Sequence, residues 1–247
     1  MSDSLSTPRP RAILFQHDLP VSAGALEGAL TRAGFTLETR FREVRPGDAD
    51  ADLVVVLGGF MGVYEADHHP YLREELALME GRLTRRRPCL GVCLGAQMLA
   101  AVSGARVYPD PKGMVLGVQP IHVTPAGHAH PVFSGAPASF PVVQWHGDTF
   151  DTVRGAEALA FSERQPQEAF LLSNSVGFLF HPEVESPTLA SWVRALPESL
   201  TRSGRQLEDV LTRDLPRLEA ARTEIDGLLG RVARYLAHQV SREPRTR

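Results

Sequence analysis

Two short stretches of this sequence carry residue types suited to covalent chemistry. Gly91-Val92-Cys93-Leu94-Gly95 follows an apolar run and opens a helical one rich in small residues. It is the thiol counterpart of the G-x-S-x-G elbow. In such a turn the flanking residues must be small, and the nucleophile stands clear of a sheet at the N-terminus of a helix. The helix dipole and free N–H groups there favour a thiolate, and the Leu94 N–H is placed to donate to an oxyanion. In isolation the same pattern fits a buried structural cysteine, which is how Cys89, inside the preceding run, is read. The second stretch is His181-Pro182-Glu183. On an extended backbone residues i and i+2 project to the same side, and the proline keeps His181 out of helix. A base and its orienting carboxylate are thereby set side by side. Taken together, Cys93, His181 and Glu183 supply a Cys-His-Glu triad. A third stretch, Gly58-Gly59-Phe60-Met61-Gly62, is a turn that lets backbone N–H groups approach a ligand. Its spacing matches neither phosphate-binding glycine fingerprint, so nucleotide binding is not supported.

These residues need elements to hold them. Arg11 to Gln16 reads as a buried strand, Ser22 to Ala33 as a helix ending at Gly34, and Phe35 to Phe41 as an alternating strand. Asp52 to Leu57 is a β-branched run of the kind covered on both faces. A helix is predicted from Pro70 to about Leu83, a strand over Pro88 to Val92, and a helix over Leu94 to Val102. That succession is the pattern of an α/β domain with a parallel central sheet. Val115 to Val123, Phe140 to Trp145, Ala156 to Ser162, Glu168 to Leu172 and Val176 to Phe180 read as short strands extending or flanking the sheet. Residues 1–10 read as a disordered leader, 11–190 as the domain and 191–247 as a helical C-terminal extension. In that extension Leu211, Leu215, Leu218, Ile225, Leu229, Val232 and Leu236 recur at helical steps, and Asp214 before Pro216 reads as a helix start. The stripe is expected to pack on the parent domain or another tail helix; a homodimer through these C-terminal helices is the competing reading.

Composition narrows the field. The chain has 247 residues, 43% apolar and 22% charged, enough to bury a full core. A net charge of −3, from 26 basic and 29 acidic residues, gives no footprint for nucleic acid. The longest apolar run, Leu53 to Tyr64, contains three glycines and is too short to span a bilayer. The N-terminal residues carry no signal-peptide core. Two cysteines exclude a disulfide framework, and a cytoplasmic, reducing setting is expected. His68 and His69 near Glu65 and Asp67, and His128 with His130, lack a metal-site spacing and read as polar loops.

The set of motifs resembles the class I glutamine amidotransferase family. GGFMG at 58–62, GVCLGAQ at 91–97, QWHGD at 144–148 and FHPEV at 180–184 stand in the family's order, and the likeness covers roughly residues 11–190. It is nearest to the stand-alone, GMP-synthase-like members. The resemblance implies a doubly wound, flavodoxin-like three-layer α/β fold with a mostly parallel central sheet. It implies Cys93 as nucleophile, His181 as general base and acid, Glu183 as its orienter, and Gly59 and Leu94 as oxyanion donors. Gln97 would hold the amino-acid part of the substrate, and Trp145, His146 and Gly147 would line the same pocket largely through backbone. His146 itself is read as structural rather than catalytic. Neither metal nor cofactor is implied. Phe60 stands where the family usually has proline and Leu179 where many members have glutamine, changes that bear on substrate fit.

The implied reaction is hydrolysis of the glutamine side-chain amide through a γ-glutamyl thioester, with ammonia going to an unknown acceptor. The tail is too short for a synthetase domain and lacks a phosphate loop, so a separate synthetase partner is expected. A γ-glutamyl hydrolase or peptidase would use the same thioester without a partner. A non-catalytic regulatory module is the third reading, and the intact triad weighs against it.

Overall fold

Alternation inside the first strands dictates the layers. In β1 (Arg11–Gln16) Ala12 and Leu14 join one apolar cluster while Ile13 and Phe15 join another; β3 (Leu53–Val56) divides Leu53 and Val55 from Val54 and Val56 in the same way. Both faces of such a sheet must be covered. One is covered by α1 (Ala25–Arg32), α5 (Ser186–Ala195), α8 (Leu215–Ala220) and α9 (Arg222–Arg242). On the other lie α2 (Pro70–Thr84) and α3 (Leu94–Val102). The computed structural model describes residues 9–242. The expected leader lies outside them except for its last two residues, and Pro10 already joins the fold by accepting the Thr36 N–H at 2.9 Å.

The remaining strands are β2 (Thr36–Phe41), β4 (Cys89–Val92), β5 (Val107–Pro109), β6 (Val115–Val123), β7 (Ser139–His146), β8 (Asp148–Phe150), β9 (Glu157–Phe161), β10 (Ala169–Leu172) and β11 (Ser175–Phe178). Nine form one sheet in the order β2-β1-β3-β4-β11-β10-β9-β6-β7. The pairings make β2, β1, β3, β4, β11, β9 and β7 run one way, with β10 and β6 opposed. The fold is therefore the doubly wound, mostly parallel α/β architecture expected, and the middle of the chain extends the sheet. Three elements escape the sequence reading. The pair β5 and β8 forms a separate antiparallel ribbon, and α4 (Pro125–Ala129) is capped by the Thr124 hydroxyl, which accepts the Gly127 N–H at 2.8 Å. At the sheet's lower edge the buried Arg82 donates to the carbonyls of Ala51 (2.7 Å) and Pro88 (2.8 Å), tying α2 to the starts of β3 and β4.

The tail packs on the domain. Leu218, Ile225, Leu229, Val232 and Leu236 are buried in the same cluster as Leu26 and Leu30 of α1, with Leu211 and Leu215 partly buried against it. The stripe that could have formed a dimer seam is thus occupied within the chain. Asp214 does stand immediately before α8, with Pro216 in its first turn, but its φ −79° and ψ −43° are already helical and its side chain does not cap. After α6 (Pro197–Ser203), α7 (Leu207–Asp209) runs through a π turn, Val210–Asp214, directly into α8. Pro216 cannot donate to the preceding turn, and the wider turn accommodates that loss. The Asp214 carboxylate instead accepts from the Val118 N–H (3.1 Å) and Arg205 (2.8 Å), docking the segment on β6. Among the described residues no helix is long and apolar enough to cross a membrane.

Candidate active site

In a doubly wound sheet, ligands bind beyond the carboxyl ends of the strands. Three parallel neighbours end together here: β3 runs into the Gly58–Gly62 turn, β4 into Cys93, and β11 toward His181. The register pairs Val92 with Phe178, so residues remote in sequence emerge side by side. The Cys93 N–H donates to the Phe178 carbonyl at 2.8 Å, and the His181 N–H to the Val143 carbonyl at 2.8 Å. These bonds fix both backbones before any side-chain contact is counted.

The elbow is as tight as the glycines suggest. Cys93 has φ 51° and ψ −103°, a conformation L residues seldom adopt. A Cβ on Gly95 would lie 2.0 Å from the Val56 carbonyl oxygen, so α3 can sit this close to β3 only with glycine there. Cys93 is 6% exposed and faces a cavity of about 670 Å³. Its sulfur lies 3.7 Å from the Trp145 carbonyl oxygen.

His181 and Glu183 are buried, with Nδ1 2.7 Å from Glu183 Oε1. That bond leaves Nε2 as the ring atom available to Cys93, whose charge acts on the ring. Burial alone would disfavour the imidazolium. The Glu183 and Cys93 charges, with their hydrogen bonds, overcome it and raise the His181 pKa well above its ordinary 6.5. A Cβ placed on Gly58 would meet His181 Cε1 at 3.0 Å and Cys93 Cβ at 3.6 Å, so the glycine turn passes against both. The Trp192 ring stands edge-on to His181 at 5.5 Å and its Nε1 donates to the Pro20 carbonyl at 2.9 Å.

Of the other expected residues, Gly59, Gln97, Trp145, His146 and Gly147 all line the cavity. Leu94 is buried at the first turn of α3, where backbone N–H groups have no helix carbonyl behind them. Gln97 Nε2 donates to the Asp148 carbonyl at 3.4 Å. His146 is structural in its contacts: Nδ1 bonds the Asp148 carbonyl at 3.0 Å and Nε2 meets the Gln144 amide at 3.1 Å. Burial lowers its pKa to about 4. Cys89 is fully buried, and burial pushes its thiol up, which suits an inert role. Phe60 is exposed at the cavity. Leu179 is buried in the apolar cluster under α3 and does not line the cavity, so its bearing on substrate fit is corrected.

Several contributors escape sequence reading. Tyr64, Glu198 and Arg202 line the cavity, the last two from α6 beyond residue 190. His17 and Asp18, which grip the glycine turn, immediately follow β1. Polar residues just past a parallel strand were the one signal available for them.

The comparisons agree with this layout. A model of the class I glutamine amidotransferase family matches residues 30–193, more than half of the chain. The glutamine amidotransferase-like protein YfeJ of Salmonella typhimurium is 33% identical over 175 residues, 68% of this chain and 73% of that protein. GMP synthase of Thermomicrobium roseum is 37% identical over 139 residues, 56% of this chain but only 24% of that longer protein. A glutamine amidotransferase crystal structure from Thermotoga maritima superposes with a TM-score of 0.80 and 29% identity, covering 96% of this chain and all of that one. Sequence motifs, strand order and relatives converge: the chain belongs to the class I glutamine amidotransferase family.

Proposed function

We propose that the protein hydrolyses the side-chain amide of glutamine through a γ-glutamyl thioester on Cys93. The observation that carries this reading is the line Cys93–His181–Glu183, with its sulfur on the cavity and its carboxylate 2.7 Å from the ring. The thiolate attacks the amide carbon, and the oxygen gains the negative charge. The N–H groups of Gly59 and Leu94 receive that oxyanion, a stabilisation of about 3 kcal/mol per donor in comparable sites. His181 protonates the nitrogen as the C–N bond breaks, and ammonia leaves. A water then gives its proton to His181 and attacks the thioester; glutamate departs and the thiolate returns. Ammonia passes to an acceptor held by a partner.

A γ-glutamyl hydrolase reading is favoured by one specific feature. The cavity is of a size that takes drug-sized ligands, and its outer wall is this chain's own α6, through Pro197, Glu198 and Arg202. Purified protein should release glutamate and ammonia from glutamine, and the Cys93→Ala variant should not. Activity confined to a panel of γ-glutamyl peptides selects the second reading. Absence of any thiol-dependent turnover overturns both.

A further inference from the structure

Behind the glycine turn lies a second buried histidine–carboxylate pair that the thioester chemistry does not use. His17 and Glu75 of α2 are both 0% exposed, with His17 Nε2 2.8 Å from Glu75 Oε2. The other ring nitrogen, Nδ1, lies 3.0 Å from the Gly58 carbonyl oxygen. A carbonyl only accepts, so Nδ1 carries a proton there. Asp18 completes the grip: its Oδ2 accepts the Phe60 N–H at 2.9 Å, and its Oδ1 accepts from Arg42 at 2.8 Å. Gly59 is thus bracketed. The peptide before it is held through its C=O and the peptide after it through its N–H.

A trans peptide places C=O and N–H on opposite edges of one plane, and no peptide among the described residues is cis. With the Gly58 oxygen held against His17, the Gly59 N–H is turned away from that ring, and Gly59 lines the cavity together with Cys93. A Gly-Gly peptide has no Cβ on either side to select its orientation, so some other group must do so. Burying an ion pair only to fill a core is unfavourable, and Glu75 Oε1 finds no hydrogen-bond partner among the described residues. We propose that His17, braced by Glu75, is a positioning residue that orients the Gly58–Gly59 peptide so that its N–H faces the oxyanion formed at Cys93. In the reverse orientation the Gly58 oxygen points into the cavity and repels that charge. The inference rests on the thioester reading and adds to it the group that keeps one oxyanion donor in place.

Two substitutions separate the contacts of the ring. His17→Asn sets an amide nitrogen near the position of Nδ1, keeping a donor for Gly58 and losing Glu75. His17→Gln reaches Glu75 and loses Gly58. Each variant is assayed for kcat and KM, and for inactivation by a chloroketone analogue of glutamine and by iodoacetamide. The chloroketone passes through an oxyanion; iodoacetamide alkylates the sulfur without one. His17→Gln should lose about a hundredfold in kcat and in chloroketone inactivation. Its KM and iodoacetamide rate should stay within about threefold of wild type, and His17→Asn should recover at least about tenfold of the loss. Equal losses in both variants, or wild-type kcat in His17→Gln, overturn the positioning role while leaving the thioester reading intact. Wild-type protein that shows no Cys93-dependent turnover and no preference for the chloroketone overturns that reading and this inference with it. Should the variants not fold, nitrogen NMR of the wild-type His17 ring decides: a protonated Nδ1 supports the inference and a bare one overturns it.

Discussion

Cys93 is held in an unfavourable backbone conformation, of the kind that costs about 1–3 kcal/mol. The bonds from its N–H to Phe178 and from the Gln97 N–H to its carbonyl, at 2.8 and 3.0 Å, maintain it. What the strain achieves is placement: the sulfur stands at the first turn of α3 and beside His181. The charge state of that histidine then depends on Glu183. Burial pushes the ring toward neutrality, and the carboxylate is the largest influence in the other direction. A raised value means that the imidazolium, the form that would protonate the leaving nitrogen in the proposed reaction, persists as pH climbs past 6.5 and is lost only at higher pH. Glu183→Gln keeps the shape and removes the charge. Its kcat/KM should fall by about 10²- to 10⁴-fold, and the alkaline limb of its pH–rate profile should move to lower pH. A variant whose alkaline limb stays in place would show that Glu183 does not govern the ring.

The site exists because β4 and β11 are neighbours, and that adjacency is the part that local sequence reading does not supply. Arg11–Gln16 and Leu94–Val102 are legible to the residue, since each is a largely apolar or small-residue run; Val115–Val123 is matched as well, although Gln119, Pro120 and His122 interrupt it. The ribbon Val107–Pro109 with Asp148–Phe150 is not, because three residues carry no periodicity and one of these is proline. Cys93, His181 and Glu183 are legible because the chemistry proposed for them needs short, rigid local patterns. Glu198 and Arg202 are not, since only the packing of α5 and α8 on the sheet brings α6 to the cavity. His17 lies between: a polar residue after a strand is visible, but its partner Glu75 is set by where α2 lands. The elbow offers a direct check on how α3 and β3 fit. Gly95→Ala forces a methyl toward a backbone oxygen that would be 2.0 Å away. Neither element can retreat without disturbing the sheet, so the change should destabilise the fold by about 3 kcal/mol. Urea unfolding that places the loss below about 1 kcal/mol would show that the α3–β3 contact is looser than its geometry.

Three buried histidines make the stability of the whole chain depend on pH in opposite senses. His17 and His181 have raised values: burial opposes their charge, and it is outweighed by Glu75 with Gly58 and Asp18 at His17, and by Glu183 with Cys93 at His181. Their contribution is complete below the unfolded value of 6.5 and is lost as pH rises through the folded values. His146 runs the other way. Burial, aided by the neighbouring His181 charge, outweighs the Asp148 carbonyl and lowers it from 6.5 to about 4. Between those values the unfolded chain takes up a proton that the folded chain refuses, so stability falls as pH falls. A shift of that size corresponds to about 3 kcal/mol by pH 4. Other carboxylates titrate in the same window, so the comparison must be differential. His146→Gln keeps a polar group between Gln144 and Asp148 and binds no proton. Its unfolding free energy in urea should therefore drop less than that of the wild type between pH 6.5 and 4.5, by about 2–3 kcal/mol. Parallel losses in the two proteins would mean that His146 takes its proton in the folded state after all, and that the segment from Gln144 to Asp148 is more open to water than its burial implies.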